Sequence, residues 1–300
     1  GSKPGVPIED LNGAVIFVQR QGRSLNAFQF TDTSASYAVQ PLSVLSSHLM
    51  KDPIDLAVRR ATSTDETDTI YLVNGDDGTM TVYSVLASQA VVAATEFITD
   101  GQFIAVGVEL SDVYTIVKRT VNASVKYFFE KFDSGTYLDS ALSGGAASSV
   151  NVTHLQAKEV QIVRDGFVES AQTVPASPYT ITFAEPATAS YQVGLNFTVT
   201  AVTMPAEPKL QSGSVQAVQK RILQVDALVY KSQSMSINGQ EVPFVEFGTE
   251  VLDVSISEFT GTKTVHGLLG FSRTGQITIT QTVPLKLTLL GLEYRMSVGD

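Results

Sequence analysis

Three short segments in the first half of the chain can be laid over one another: Ile16-Phe17-Val18-Gln19, Tyr71-Leu72-Val73-Asn74 and Thr115-Ile116-Val117-Lys118. Each is followed by a polar turn and a second strand. Val18, Val73 and Val117 each have an aromatic residue 10 positions later, at Phe28, Tyr83 and Tyr127. The copies are 55 and 44 residues apart, and the surplus of 11 matches an insertion at 41–51. Antiparallel units of about 40–50 residues are the blades of β-propellers, and each must stack on its neighbours to bury its apolar face. A closed ring takes about four to eight blades. Three copies therefore leave a partial ring, to be completed from the second half, from sequence beyond this chain, or not at all if the units form an open sheet.

Short runs rich in Val, Ile, Thr, Tyr and Phe, bounded by Gly, Asn, Asp and Ser, predict strands along the rest of the chain. They fall at 13–19, 68–74, 79–86, 112–118 and 124–132, then at 159–164, 179–183, 197–202, 219–231, 251–259, 276–281 and 285–296. Asn74-Gly75-Asp76-Asp77-Gly78 and Asp100-Gly101 supply the positive-φ positions that hairpin turns need. A single helix is predicted in the first half, at 41–50, with Pro41 suited to a first turn and Leu42, Leu45 and Leu49 at helical spacing. The segment 210–231 reads either as one long strand or as a helix feeding a strand. The stretch from Ser143 to Ser149, rich in Gly, Ser and Ala, predicts a flexible connector. The expectation is an all-β chain. Residues 1–133 form propeller-like repeats with one helical insertion, 134–149 a linker, and 150–300 a second β-sandwich or barrel-like domain.

Composition removes several kinds of chemistry. With 43% hydrophobic and 17% charged residues the chain has the makings of a sizeable core. It contains no cysteine, which excludes a disulfide framework, a thiolate nucleophile and cysteine-ligated metal. No run approaches the roughly 18 apolar residues of a membrane span. Gly1-Ser2 has the look of a cloning scar, so the natural protein is expected to begin elsewhere.

His48, His154 and His266 are the only histidines, and each sits where a structural or solvent role is the better reading. No Gly-x-Ser-x-Gly elbow and no phosphate-binding glycine loop accompanies them. Asp76 and Asp77, with Asp65, Glu66 and Asp68 upstream, could gather around calcium, but the spacing is that of an acidic hairpin tip. Three Asn-x-Ser/Thr sequons, at Asn122, Asn151 and Asn196, read as chance occurrences. The basic pairs Arg59-Arg60, Lys118-Arg119 and Lys220-Arg221 form no stripe interleaved with aromatics, and the formal charge is −10. Both points oppose tight nucleic-acid binding. No catalytic, cofactor or metal residue is assigned.

Four segments carry a resemblance. They are 15–25, from Val15-Ile16-Phe17-Val18-Gln19-Arg20 to Leu25; Pro41-Leu42-Ser43-Val44-Leu45-Ser46-Ser47-His48-Leu49; and Tyr71-Leu72-Val73-Asn74-Gly75-Asp76-Asp77-Gly78-Thr79-Met80. The fourth is a longer tract through Val117-Lys118-Arg119, Tyr127-Phe128-Phe129-Glu130, His154-Leu155, Arg164-Asp165-Gly166 and Val193-Gly194-Leu195. In order and spacing, over about 15–200, these resemble the tail nozzle (tail tubular or stabilisation) proteins of short-tailed bacteriophages and prophages.

The resemblance implies a non-enzymatic virion protein of the phage tail, assembled in the bacterial host cytoplasm. It implies a homo-oligomeric ring, hexameric in this family, with propeller-like lobes around a channel through which DNA passes without specific binding. Its expected partners are portal or adaptor proteins and tail fibres or spikes, with no cofactor and no membrane anchor. A different reading is a carbohydrate- or receptor-binding β-module, for which exposed Tyr179 or Tyr191 would serve as contact residues. The excess of acid suits a conduit that must not hold phosphates.

Overall fold

The computed structural model describes residues 1–32, 35–63, 66–208, 218–245, 255–267 and 270–299. Among these, the regular elements are β-strands apart from three single-turn 3₁₀ helices, Ser47–Leu49, Ala87–Gln89 and Thr153–Leu155. All strand pairs are antiparallel and none of the described sheets closes on itself. The chain is all-β, as its patterning predicts, and divides into two compact units, Gly1–Ser134 and Gly135–Asp300.

The first unit consists of three meanders in which consecutive strands are neighbours. The first holds β1 (Glu9–Leu11), β2 (Ala14–Val18), β3 (Leu25–Thr31) and β4 (Ser36–Pro41). The second holds β5 (Pro53–Arg59), β6 (Asp68–Asn74), β7 (Met80–Leu86) and β8 (Val91–Phe97). The third holds β9 (Gln102–Glu109), β10 (Asp112–Val121) and β11 (Ser124–Lys131). The sequence repeat falls on the second strand of each meander, and the aromatic that follows it falls on the third.

Register carries the repeat further between the first two copies. Val18 opposes Leu25 and Val15 opposes Phe28, just as Val73 opposes Met80 and Ile70 opposes Tyr83. The third copy departs because Asn122 and Ala123, both at positive φ, make a two-residue turn between Val121 and Ser124. Val117 therefore opposes Phe128, and Tyr127 faces outward.

Because side chains alternate across a strand, each meander has two faces. Ile16, Val18, Leu25 and Ala27 of the first pack against Leu56, Ile70, Leu72 and Tyr83 of the second. The opposite face of the second, with Val73, Met80 and Val82, packs against Phe103, Val113 and Val117 of the third. Burial on both faces is why β6 and β7 read as nearly continuous apolar runs. At Gly78, φ is +70°, and a Cβ would lie 2.5 Å from Cβ of Gln102, so the turn after β6 admits β9 only because it is glycine.

The helix expected at 41–50 is not formed. Pro41 ends β4 opposite Asn26, and the Leu42 N–H donates to the Leu25 carbonyl. The buried Ser43 hydroxyl accepts from the Leu25 N–H, so this serine serves the sheet rather than a helix. Only one 3₁₀ turn follows, and Leu45, which helical spacing would turn inward, is exposed.

Asn74, fully buried, holds this insertion in place. Its side-chain oxygen accepts from the Lys51 N–H at 3.1 Å, and its amide donates to the Leu49 carbonyl and to the hydroxyls of Thr79 and Thr81 at 3.0–3.1 Å.

In the second unit, the connector expected at 134–149 is also corrected. Residues there form β12 (Asp139–Gly144) and β13 (Ala147–Asn151). Small residues serve close approach here: Gly144 pairs with Tyr191, and a Cβ on it would lie 2.5 Å from the Tyr191 hydroxyl.

With β14 (Glu159–Arg164), β15 (Phe167–Thr173), β16 (Thr180–Ala187) and β17 (Tyr191–Leu195), these strands form a four-stranded sheet in the order β12-β17-β14-β15 and a β13-β16 pair. They share a core that includes Leu155, Val160, Ile162, Ile181 and Val193.

A second core follows. It includes Val225, Ala227, Val229, Ile237, Val265 and Ile279. One contributing sheet is β18 (Val199–Val202), β23 (Thr278–Gln281), β20 (Ser236–Ile237) and β21 (Gln240–Glu241), in that order. The other is β22 (Phe259–His266), β19 (Lys220–Ser232) and β24 (Leu289–Val298), also in spatial order. From Lys220 onward the ambiguous segment is one long strand, while residues 209–217 lie outside the described residues. Of the strand expected at 251–259, residues 251–254 lie outside them too, and only Phe259 is in a strand.

Replacing Asn74 with Ala leaves the Lys51 N–H without its side-chain partner and removes one of the two donors to the Leu49 carbonyl, the other being the Thr81 hydroxyl. Denaturant unfolding should show a loss of about 1–3 kcal/mol, whereas substituting exposed Leu45 with Ser should change stability by less than about 0.5 kcal/mol.

Candidate functional surface

The three histidines do not come together into a site. His48 is exposed on the 3₁₀ turn, and His266 is exposed at the end of β22. His154 is half-buried, with Nε2 2.9 Å from the Ser140 carbonyl oxygen. Among the described residues, no group of three or more His, Asp or Glu side chains is placed to share a metal ion.

Three of the acidic residues around the β6 hairpin, Glu66, Asp68 and Asp77, are engaged locally, and Asp76 donates its N–H to the Lys51 carbonyl. Asp68 accepts from the Asn12 amide and the Ala61 N–H. Asp77 accepts from the N–H and hydroxyl of Thr79 and pairs with Lys51 at 2.7 Å. Lys51 also pairs with Glu96, and bonds to Asp77 and Glu96 together raise its pKa. The Thr62 N–H and hydroxyl, with Arg59, hold Glu66 down to about 2. Asp65 lies outside the described residues.

Most members of the basic pairs turn inward or bind intrachain acids, while Lys118 lies on the outer face of the third meander opposite Tyr127. Arg119 is fully buried on β10 and grips Glu130 of β11 through bonds of 2.9–3.3 Å, while its Nη1 donates to the Asp100 carbonyl. Arg60 pairs with Asp10, and Arg59 with Glu66. Lys220 is buried and donates to the Arg273 carbonyl, and the Arg221 guanidinium lies over Phe271. In the second unit, Arg164 pairs with Glu169 at 2.7 Å. Asp165 in the β14 hairpin turn accepts from the N–H groups of Thr188, Ala189 and Ser190 at 2.7–2.8 Å. Those N–H groups hold its carboxyl well below the usual carboxylate range.

What the first unit does present is two open apolar sheet faces. On the outer face of the first meander, Phe28 stacks on Tyr37 with centroids 5.1 Å apart, and Phe30 meets Tyr37 edge-on at 5.4 Å. Val15 and Val39 flank Phe28 in register. Tyr37 is 67% exposed. On the outer face of the third meander, Tyr114 stacks on Phe129 at 5.3 Å, with Ile116, Val125 and Tyr127 beside them; Phe129 is 74% exposed. Contiguous apolar surface of this kind marks an interaction site more often than it marks plain solvent-exposed surface.

Tyr127 falls inside the strand predicted at 124–132, and alternation turns it outward. Conversely Tyr179 and Tyr191, nominated as exposed contact residues, are half-buried against the second unit's core, and Tyr191 packs on Phe183 at 5.2 Å.

No protein-family model and no curated protein matches the chain. Among solved structures, it has a likeness to an exo-β-1,3-galactanase from Phanerochaete chrysosporium bound to β-1,3-galactotriose. The identity is 10% and the TM-score 0.27, over 96% of this chain and 67% of that one.

Asp165 and Glu66 have folded-state pKa values below their ordinary ones, so each adds stability above the unfolded carboxylate range and loses it as pH falls. Resistance to thermal unfolding should therefore fall from about pH 5 downward, through the window between 4.5 and about 2 for Glu66. Asp165→Asn should lower the melting temperature at pH 7 and flatten its decline in acid. An unchanged acid profile would count against the Asp165 turn as a source of the pH dependence.

Proposed function

We propose that the chain is a structural subunit of a bacteriophage or prophage tail, of the nozzle type, forming part of a DNA exit conduit and a platform for other tail proteins. The observation that supports this reading best is the stack of propeller-like meanders ending in open aromatic faces, a surface made for assembly. The ordered segments from Val15 to Leu195 supply the resemblance to nozzle proteins. The engagement of Arg59, Arg60, Arg119 and Arg164 by intrachain acids agrees with it, since a conduit lined by free cations would hold phosphates.

A second reading, a carbohydrate-binding module, is favoured by one feature, the stacked Phe28–Tyr37 pair on the first meander. Aromatic faces are the usual platform for a sugar ring, and a glycan array discriminates, since a nozzle subunit should give no reproducible sugar-specific signal.

Phage particles from the strain that encodes the chain should contain it by mass spectrometry, and immunogold label should lie at the tail tip. Absence from purified particles would sink the tail reading. Binding to duplex DNA at low salt should be weaker than micromolar, and tight, salt-sensitive binding would contradict the conduit role.

A further inference from the structure

The chain contains three Asn-Gly pairs, Asn12-Gly13, Asn74-Gly75 and Asn238-Gly239. A pair of this kind carries its own chemistry. The glycine backbone nitrogen attacks the asparagine side-chain carbonyl carbon, a C–N bond forms, and the side-chain nitrogen leaves as ammonia. Water then opens the resulting succinimide ring to aspartate or isoaspartate. Glycine favours the attack because no Cβ crowds its nitrogen. The reaction needs a glycine N–H that is not already hydrogen-bonded, a carboxamide that can swing toward it, and access for water.

Asn74-Gly75 meets none of these needs. The Gly75 N–H donates to the Asp52 carbonyl at 3.0 Å. The Asn74 side chain is fully buried and held by the Lys51 N–H, the Leu49 carbonyl and the hydroxyls of Thr79 and Thr81.

The other two pairs meet all three. Each is the two-residue turn of a hairpin, with Leu11 opposite Ala14 and Ile237 opposite Gln240, and all four turn residues have positive φ. Asn12 and Asn238 are exposed. Among the described residues, neither the Gly13 nor the Gly239 N–H has a backbone acceptor, and no atom lies within 4 Å of where a Cβ would stand on either glycine. Each carboxamide is held by a single bond. The Asn12 amide donates to Asp68 Oδ2 at 2.6 Å, and the Asn238 side-chain oxygen accepts from the Thr278 N–H at 2.7 Å.

We infer that Asn12 and Asn238 are sites of spontaneous deamidation, and that modification at Asn12 loosens the joint between the first and second meanders. The bond from Asn12 to Asp68 runs from the β1–β2 turn to the start of β6 and so crosses that joint. Asp68 is buried, and its other oxygen accepts from the Ala61 N–H. Deamidation at Asn12 removes a donor from this carboxylate and sets a second carboxylate in its place, and like charges in contact destabilise the folded state. At Asn238 the consequence differs. An aspartate there keeps the oxygen that accepts from Thr278, so the hairpin retains its bond.

The full chain, held in warm, mildly alkaline buffer and then analysed by peptide mapping, should accumulate aspartate and isoaspartate at positions 12 and 238. Conversion of Asn74 should be at least about tenfold slower, because it waits on local opening. In denaturant all three should convert at similar rates. Asn74 keeping pace in the folded chain, or either Asn12 or Asn238 converting as slowly as Asn74, overturns the assignment of sites. Asn12→Asp reproduces the aspartate product and should lower the melting temperature by at least about 3 °C, whereas Asn238→Asp should stay within about 1 °C of wild type. A wild-type melting temperature for Asn12→Asp, or an equal loss from both variants, overturns the link between Asn12 and the joint.

Discussion

Burial of the second meander on both faces is the constraint on which the rest of the first unit depends. A sheet with one wet face can alternate apolar and polar residues, but β6 and β7 cannot, and their seven-residue runs Asp68–Asn74 and Met80–Leu86 hold almost only buried side chains. Once Leu72 and Tyr83 require a cover on one side and Val73 and Met80 on the other, the first and third meanders must lie where they do. Their own outer faces are then left over. An open apolar face at each end is the geometric remainder of stacking three two-faced units in a line.

Dry packing of that kind makes every polar group within it expensive unless paired, and Asn74 and Arg119 are paired there. Asn74 has bonds on both its oxygen and its amide nitrogen, and Arg119 answers its burial with a bidentate grip on Glu130. Both act across elements: Asn74 ties the 42–52 insertion to the β6 hairpin, and Arg119 ties β10 and β11 to the Asp100 turn. At Gly101 in that turn φ is +148°, and a Cβ would lie 2.3 Å from the Lys118 carbonyl oxygen, so the approach of Arg119 to the turn also depends on glycine.

The strands that could be read from sequence are those buried on one or both faces. The apolar pattern gives 68–74 and 159–164 to the residue, and 219–231 to within one residue at each end. Edge strands are harder to see, because a strand paired on one side tolerates mixed polarity: β1, β4, β5 and β8 carry no unbroken apolar signal. The Leu42, Leu45 and Leu49 spacing suggests a helix at 41–50, yet local bonds from Ser43 outweigh it: Leu42 packs on the core from an extended segment and Leu45 is exposed. The connector at 134–149 misleads for a related reason, since small residues signal flexibility in isolation and close packing beneath Tyr191. The open faces could not be read, because outward and inward apolar positions look alike until register is known.

The charge of the chain gains a sharper meaning from these pairings. The formal count of 20 basic against 30 acidic residues gives a net charge of −10, which intrachain pairing leaves unchanged while reducing the number of free cations. Several of the basic groups are already neutralised within the chain, Arg119 and Arg164 by close carboxylates and Lys51 by two of them. Affinity for nucleic acid grows with the number of phosphates that free cations can neutralise, each releasing condensed counterions. Cations bound to the chain's own carboxylates offer fewer such contacts, and the net charge of −10 also opposes retention of DNA. On the proposed conduit reading these demands are compatible and would be met by different atoms: apolar rings would hold neighbours together, and intrachain ion pairs would keep the cargo from sticking.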